Sequence, residues 1–123
     1  MKKELFIATS SFNLNLDIKK KISSSPIKVC SNPLKRKLNS DEVIKYAKNS
    51  NYIIAGTEKY NQKNLNKLKK LKAIFRLGSG IDNIDFDYCK KLKIKVYKSK
   101  ITPEVAVSEL IVSNIINLRF HDA

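Results

Sequence analysis

The chain has 123 residues, 42% of them hydrophobic, which suits one soluble domain with a core of its own. No apolar run approaches the ~18–20 residues of a membrane span, and the start, Met1-Lys-Lys-Glu-Leu-Phe-Ile-Ala-Thr9, is too short in apolar residues for a signal-peptide core, so a cytoplasmic protein is expected. The formal charge of +14 is nearly all lysine spread along the chain, with arginine only at 36, 76 and 119, so it reads as composition bias rather than a specific nucleic-acid surface.

Apolar runs alternate with amphipathic segments from end to end. Strands are predicted over Glu4–Thr9, Ile27–Cys30, Tyr52–Ala55, Ala73–Leu77 and Ile94–Tyr97. Helices are predicted over Leu14–Ile22, Ser40–Lys48, Asn61–Leu71 and Asp85–Leu92. Ser40 is the expected N-cap of the second helix, with acids in its first turn. Leu65, Leu68 and Leu71 should share one face of the third. Thr102-Pro-Glu opens a further helix, with Thr at the N-cap and Pro at the first helical position. That helix should run to about residue 120 and is apolar on more than one side.

Five strand–helix alternations imply a parallel sheet with helices on both faces. The expectation is α/β: a flavodoxin-like, doubly wound, five-stranded sheet plus a long C-terminal helix. Cys30 and Cys89 are isolated and read as reduced structural thiols, with no metal-ligand spacing around them.

The richest stretch is Leu71-Lys-Ala-Ile-Phe-Arg-Leu-Gly-Ser-Gly-Ile-Asp-Asn-Ile-Asp85. A buried strand runs into a turn in which Gly78 and Gly80 flank Ser79. Glycine permits positive φ and close approach of a ligand to the backbone. In open α/β sheets, ligands lie beyond the carboxyl ends of strands. The turn is therefore a candidate anion site with main-chain N–H donors. Asp82, Asn83 and Asp85 supply turn and capping oxygens for the following helix.

Three segments occur in order: Ile53-Ile-Ala-Gly-Thr-Glu58, the Leu71–Asp85 stretch, and Thr102-Pro-Glu-Val-Ala-Val-Ser-Glu-Leu110. Together they resemble the N-terminal half of D-isomer-specific 2-hydroxyacid dehydrogenases, most closely the phosphoglycerate dehydrogenase-like branch. The resemblance implies an NAD-dependent oxidoreductase whose active site lies in a cleft between two domains. It implies that residues 1–101 form the substrate, or catalytic, domain and 102–120 the helix that crosses to a dinucleotide-binding domain. It assigns the substrate carboxylate to the main chain of Gly78, Ser79 and Gly80. Arg76 matches the Arg that often precedes this turn, and Gly56, Thr57 and Glu58 match the segment bordering the same cleft. Where some relatives carry a basic residue for a substrate phosphate, this chain has Ala55 and Gly56, with Lys59 nearby. Asp82 and Asn83 are expected to fix the turn by local hydrogen bonds, and Glu109 to be structural.

Gly-x-Gly-x-x-Gly does not occur, since the glycines are Gly56, Gly78 and Gly80. The family's catalytic Arg, Glu and His have no counterpart here, and the one histidine, His121, matches none of them. The expectation is a substrate-binding half, truncated and inactive alone. Its implied partners are a small 2-hydroxy or 2-oxo acid and the dinucleotide-binding domain, with no membrane and no specific nucleic acid. Self-association through the 102–120 helix is expected if one apolar face of it lies uncovered. The alternative is a stand-alone flavodoxin-like anion-binding or regulatory module without catalysis.

Overall fold

The computed structural model describes residues 3–10, 16–77, 83–99, 102, 105–108 and 121–122. The elements in order are β1 (Lys3–Ile7), α1 (Leu16–Ser23), β2 (Ile27–Ser31), α2 (Ser40–Ala47), β3 (Tyr52–Ala55), α3 (Gln62–Lys67), β4 (Ala73–Leu77), α4 (Phe86–Lys91), β5 (Lys95–Ser99) and β6 (His121–Asp122). They build one six-stranded sheet in the order β2-β1-β3-β4-β5-β6. The first five strands are mutually parallel. This is the doubly wound, flavodoxin-like order that the strand–helix alternation implies. The chain leaves β1 toward β2 and returns to the other side of β1 for β3, so the topological switch lies between the ends of β1 and β3.

The sixth strand was not expected. It pairs antiparallel with β5 through Tyr97↔Asp122 and Lys98↔His121. Two residues leave no hydrophobic period to read.

Alternation along the strands fills both faces. On one face Phe6, Ile53, Ala55, Ile74 and Val96 pack with Val43 and Ala47 of α2, Leu65 of α3 and Cys89 of α4. On the other, Leu5, Ile7, Tyr52, Ile54, Ala73 and Phe75 pack with Ala106 and Val107. The all-apolar run of β3, buried at every position, is the signature of a strand covered on both faces.

Most helix ends fall within a residue of expectation, and two differences have a visible cause. Asn39, not Ser40, caps α2: its side chain accepts from Glu42 N while the Glu42 side chain accepts from Asn39 N. This is a capping box, and it needs the acid three residues after the cap. The third helix stops at Lys67 rather than Leu71, because Leu68 has left helical geometry at φ −91°, ψ 71°. Leu65, Leu68 and Leu71 are all buried in the same cluster, but a turn, not a helical stripe, brings Leu71 there.

Thr102 does cap: Ala106 N donates to its carbonyl at 3.0 Å and Val105 N to its Oγ1 at 3.4 Å. Residues 105–108 are helical, with Ala106 and Val107 fully buried and Val105 exposed. The rest of the predicted 102–120 helix, including Glu109, lies outside the described residues. So do Gly78, Ser79, Gly80 and Asp82.

Candidate functional site

The carboxyl ends of β1, β3 and β4 converge. The site there is built from the segments after β3 (Gly56–Tyr60) and around β4 and α4 (Arg76–Leu77 and Asn83–Asp85). Gly56 sits at the switch point against Thr9: a Cβ added to it would lie 3.2 Å from Thr9 Cα and 3.0 Å from Glu58 Oε1. The lack of a side chain lets the ends of β1 and β3 approach and lets Glu58 fold back over them.

Glu58 is 1% exposed, so its side chain points inward. Its Oε2 accepts from Gly56 N at 2.9 Å and from the Tyr60 hydroxyl at 2.5 Å. A carboxyl group this buried requires such donors. Tyr60 is itself buried within the core. Burial first, then the charge and hydrogen bond of Glu58, push the Tyr60 phenol well above its ordinary range, and the charge of Arg76 opposes them. The hydroxyl therefore remains a proton donor.

Arg76 is 6% exposed. Within β4 it shares the face of Ile74, beside Ala55 of β3 in register. Its Nη1 donates to Leu77 O, and its Nε donates to Asn83 Oδ1 at 3.1 Å. Asn83 in turn donates through Nδ2 to Gly56 O at 2.9 Å and Glu58 O at 2.8 Å. Its own carbonyl accepts from Tyr60 N at 2.6 Å, and Tyr60 O accepts from Asp85 N at 2.9 Å. Tyr60 and Ile84 thus form an isolated parallel bridge. Asp85 then caps α4 by accepting from Tyr88 N.

Arg76 and Glu58 accordingly belong to one buried polar network, while Thr57, on the same segment, is exposed. Tyr60 was not among the candidate residues. Nothing local in the sequence distinguishes it from a core tyrosine, since its partner is two residues away in a non-helical segment. Asn83 was expected to act locally; its reach to Gly56 and Glu58 spans more than twenty residues.

A groove of about 540 Å³ lies elsewhere, between α4 and β5, lined by residues including Phe86, Lys90, Lys93, Lys95 and Val96. It contains none of the candidate residues. Among the described residues no group of three or more His, Cys, Asp or Glu could hold a metal ion, and no helix is long and apolar enough to cross a membrane.

Residues 15–114 match the sequence model of a family described as D-isomer specific 2-hydroxyacid dehydrogenase, catalytic domain. No curated protein matches the chain. Among solved structures, the chain resembles the NAD+-bound 3-phosphoglycerate dehydrogenase of Entamoeba histolytica at 24% identity and TM-score 0.64, over 80% of this chain and 33% of that one. It resembles the D-lactate dehydrogenase of Escherichia coli at 19% identity and TM-score 0.61, over 92% and 36%. It also resembles the D-mandelate dehydrogenase of Rhodotorula graminis at 17% identity and TM-score 0.61, over 80% and 31%. At these identities the likeness is one of fold, and the chain spans about a third of the length of these structures.

Proposed function

The chain belongs to the D-isomer specific 2-hydroxyacid dehydrogenase family, and from that premise we propose that it is the substrate-binding half of an NAD-dependent oxidoreductase acting on the CH–OH group of D-2-hydroxy acids. In this reading residues 1–101 are the substrate domain, on the phosphoglycerate dehydrogenase-like branch. Residues 102–120 cross to a dinucleotide-binding domain. The main chain of Gly78, Ser79 and Gly80 receives the substrate carboxylate, with Arg76, Thr57 and Glu58 at its border.

The observation that supports this best is the polar network at the strand ends. It joins the segment after β3 to both flanks of the 78–82 segment, through Asn83 and Arg76. A carboxylate held by main-chain donors needs those donors fixed in advance. A network of hydrogen bonds among buried and half-buried groups provides that rigidity.

The described residues offer no glycine turn of the kind that would hold a nicotinamide dinucleotide. Gly56, the one glycine among the described residues, faces Thr9 and Glu58 at contact distance rather than open space. No Gly-x-Gly-x-x-Gly accompanies it. Residues 1–123 by themselves are expected to lack dehydrogenase activity.

The test is an amide NMR titration of the chain with glyoxylate and pyruvate, beside calorimetry with NADH. Shifts confined to residues 56–60 and 76–83, with no heat from NADH, are expected. Shifts mapping elsewhere, or micromolar NADH binding, would overturn the reading.

A further inference from the structure

Asn83 holds together two segments distant in sequence. Its side chain donates twice, to Gly56 O at 2.9 Å and Glu58 O at 2.8 Å, and accepts once, from Arg76 Nε at 3.1 Å. Its main-chain carbonyl accepts from Tyr60 N at 2.6 Å. The orientation of the amide is unambiguous, because only its nitrogen can face two carbonyls and only its oxygen can face a guanidinium. Arg76 stands just before the 78–82 segment and Asn83 just after it. The Arg76–Asn83 bond therefore ties together the residues on either side of that segment, while the two Nδ2 bonds pin them to the segment after β3.

We propose that Asn83 is a positioning residue that locks the Gly56–Tyr60 segment, Arg76 and the start of α4 into one rigid unit, so that these borders of the candidate site hold a single geometry for a bound carboxylate. Its consequence for binding rests on the substrate-domain reading above; the coupling of the two segments does not. Only a side chain with both donors and an acceptor performs this role. Aspartate keeps the acceptor for Arg76 but presents a carboxylate to two carbonyls. The coupling is then lost at nearly constant shape.

The experiment compares the unmodified chain with Asn83→Asp by amide NMR, first free and then titrated with glyoxylate. In the free variant the amides of Gly56, Thr57, Glu58 and Tyr60 should shift together with those beside Arg76. Glyoxylate affinity should fall about tenfold or more, as expected when charge-binding donors lose their fixed geometry. Free-state shifts confined to residues 82–85 would overturn the coupling. A variant coupled as the parent, or binding as tightly despite a lower melting temperature, would reduce Asn83 to a structural residue and overturn the proposal. Should Asn83→Asp not fold, the smaller Asn83→Ser decides the matter by the same free-state shifts: the amides of Gly56, Thr57, Glu58 and Tyr60 must move together with those beside Arg76. Shifts confined to residues 82–85 overturn it. An unmodified chain that binds no glyoxylate defeats the substrate-domain reading, and the free-state shifts still decide the coupling.

Discussion

The Tyr60 hydroxyl donates to Glu58 Oε2 at 2.5 Å in a site where each residue is 1% exposed. The pair stands where a strand end becomes a segment of the candidate site, and it explains why a carboxyl group is tolerated against the core. Tyr60→Phe removes one of the two donors to Glu58 Oε2 found among the described residues. Hydrogen bonds to charged groups contribute roughly 1.5–3 kcal/mol, and a loss of that size is expected in urea unfolding at neutral pH.

The same pair sets an alkaline dependence. The folded-state pKa of Tyr60 lies well above the ordinary value of 10.0. The folded protein then holds a proton that the unfolded chain releases. The contribution is fully present below about pH 10 and is lost as pH rises toward the folded value. The stability gap between the unmodified chain and Tyr60→Phe should therefore hold constant up to about pH 10 and narrow as pH rises above it. Parallel curves over that range would contradict the assignment.

Much of this fold could be read from local pattern. The bounds of Tyr52–Ala55 and Ala73–Leu77 agree with the sequence pattern, because a strand buried on both faces is a near-continuous apolar run, unbroken in the first and interrupted only by Arg76 in the second. The helix ends were harder, since Asn39 and Ser40 are both good capping residues and only the reciprocal bond with Glu42 separates them. The site was legible as segments but not as contacts. Arg76, Thr57 and Glu58 stood out by resemblance, yet the inward turn of Glu58 depends on Tyr60 and on the bare α-carbon of Gly56. No periodicity reports a bond such as Asn83 to Gly56, which forms only when crossovers bring two strand ends side by side.

The α2 cap separates the two candidate residues by experiment. Asn39→Ala should cost about 1 kcal/mol, whereas Ser40→Ala should stay within about 0.5 kcal/mol of the parent. Glu42 carries a linked acid dependence. Its hydrogen bond from Arg36, then that from Asn39 N, lowers its pKa from 4.5 to about 2. A depressed folded value means that the contribution is present above 4.5 and is lost as pH falls toward 2. NMR titration of the Glu42 carboxyl should show the low midpoint in the parent and a return toward 4.5 in Arg36→Ala. A parent midpoint near 4.5 would refute the coupling.

Lys93 offers a stabilising change. It follows α4 with φ 63°, the left-handed region that favours glycine. Lys93 N donates to Lys90 O at 3.1 Å and Ile94 N to Cys89 O at 2.8 Å, the paired bonds of a Schellman motif. Lys93→Gly should raise stability by up to about 1 kcal/mol, because it relieves the left-handed cost while keeping both bonds. Lys93→Val should lower stability, since a β-branched residue fits that region worst. Thermal melts of the two variants must move in opposite directions.

Gly56 is constrained by space, and its replacement tests how tightly the strand ends meet. A Cβ there would lie 3.0 Å from Glu58 Oε1, 3.2 Å from Thr9 Cα and 3.4 Å from Thr9 Cβ. Neither neighbour yields freely. The residue before Thr9 is tied at both polar groups, by Ala8 N to Ile54 O at 2.9 Å and by Asn32 Nδ2 to Ala8 O at 3.0 Å. The Glu58 carboxyl is tied by Tyr60 and by the N–H of Gly56 itself. Gly56→Ala must then push the backbone of β1 and β3 apart or turn Glu58 out of its bonds. Overpacking of this kind costs roughly 1–3 kcal/mol, and Gly56→Val should cost more. The two routes leave different traces. Separation of the strands shifts the Ala8 and Thr9 amides, whereas release of Glu58 abolishes the alkaline dependence attributed to Tyr60. A Gly56→Ala protein as stable as the parent, with neither trace, would show that the ends of β1 and β3 have room that the structure does not give them.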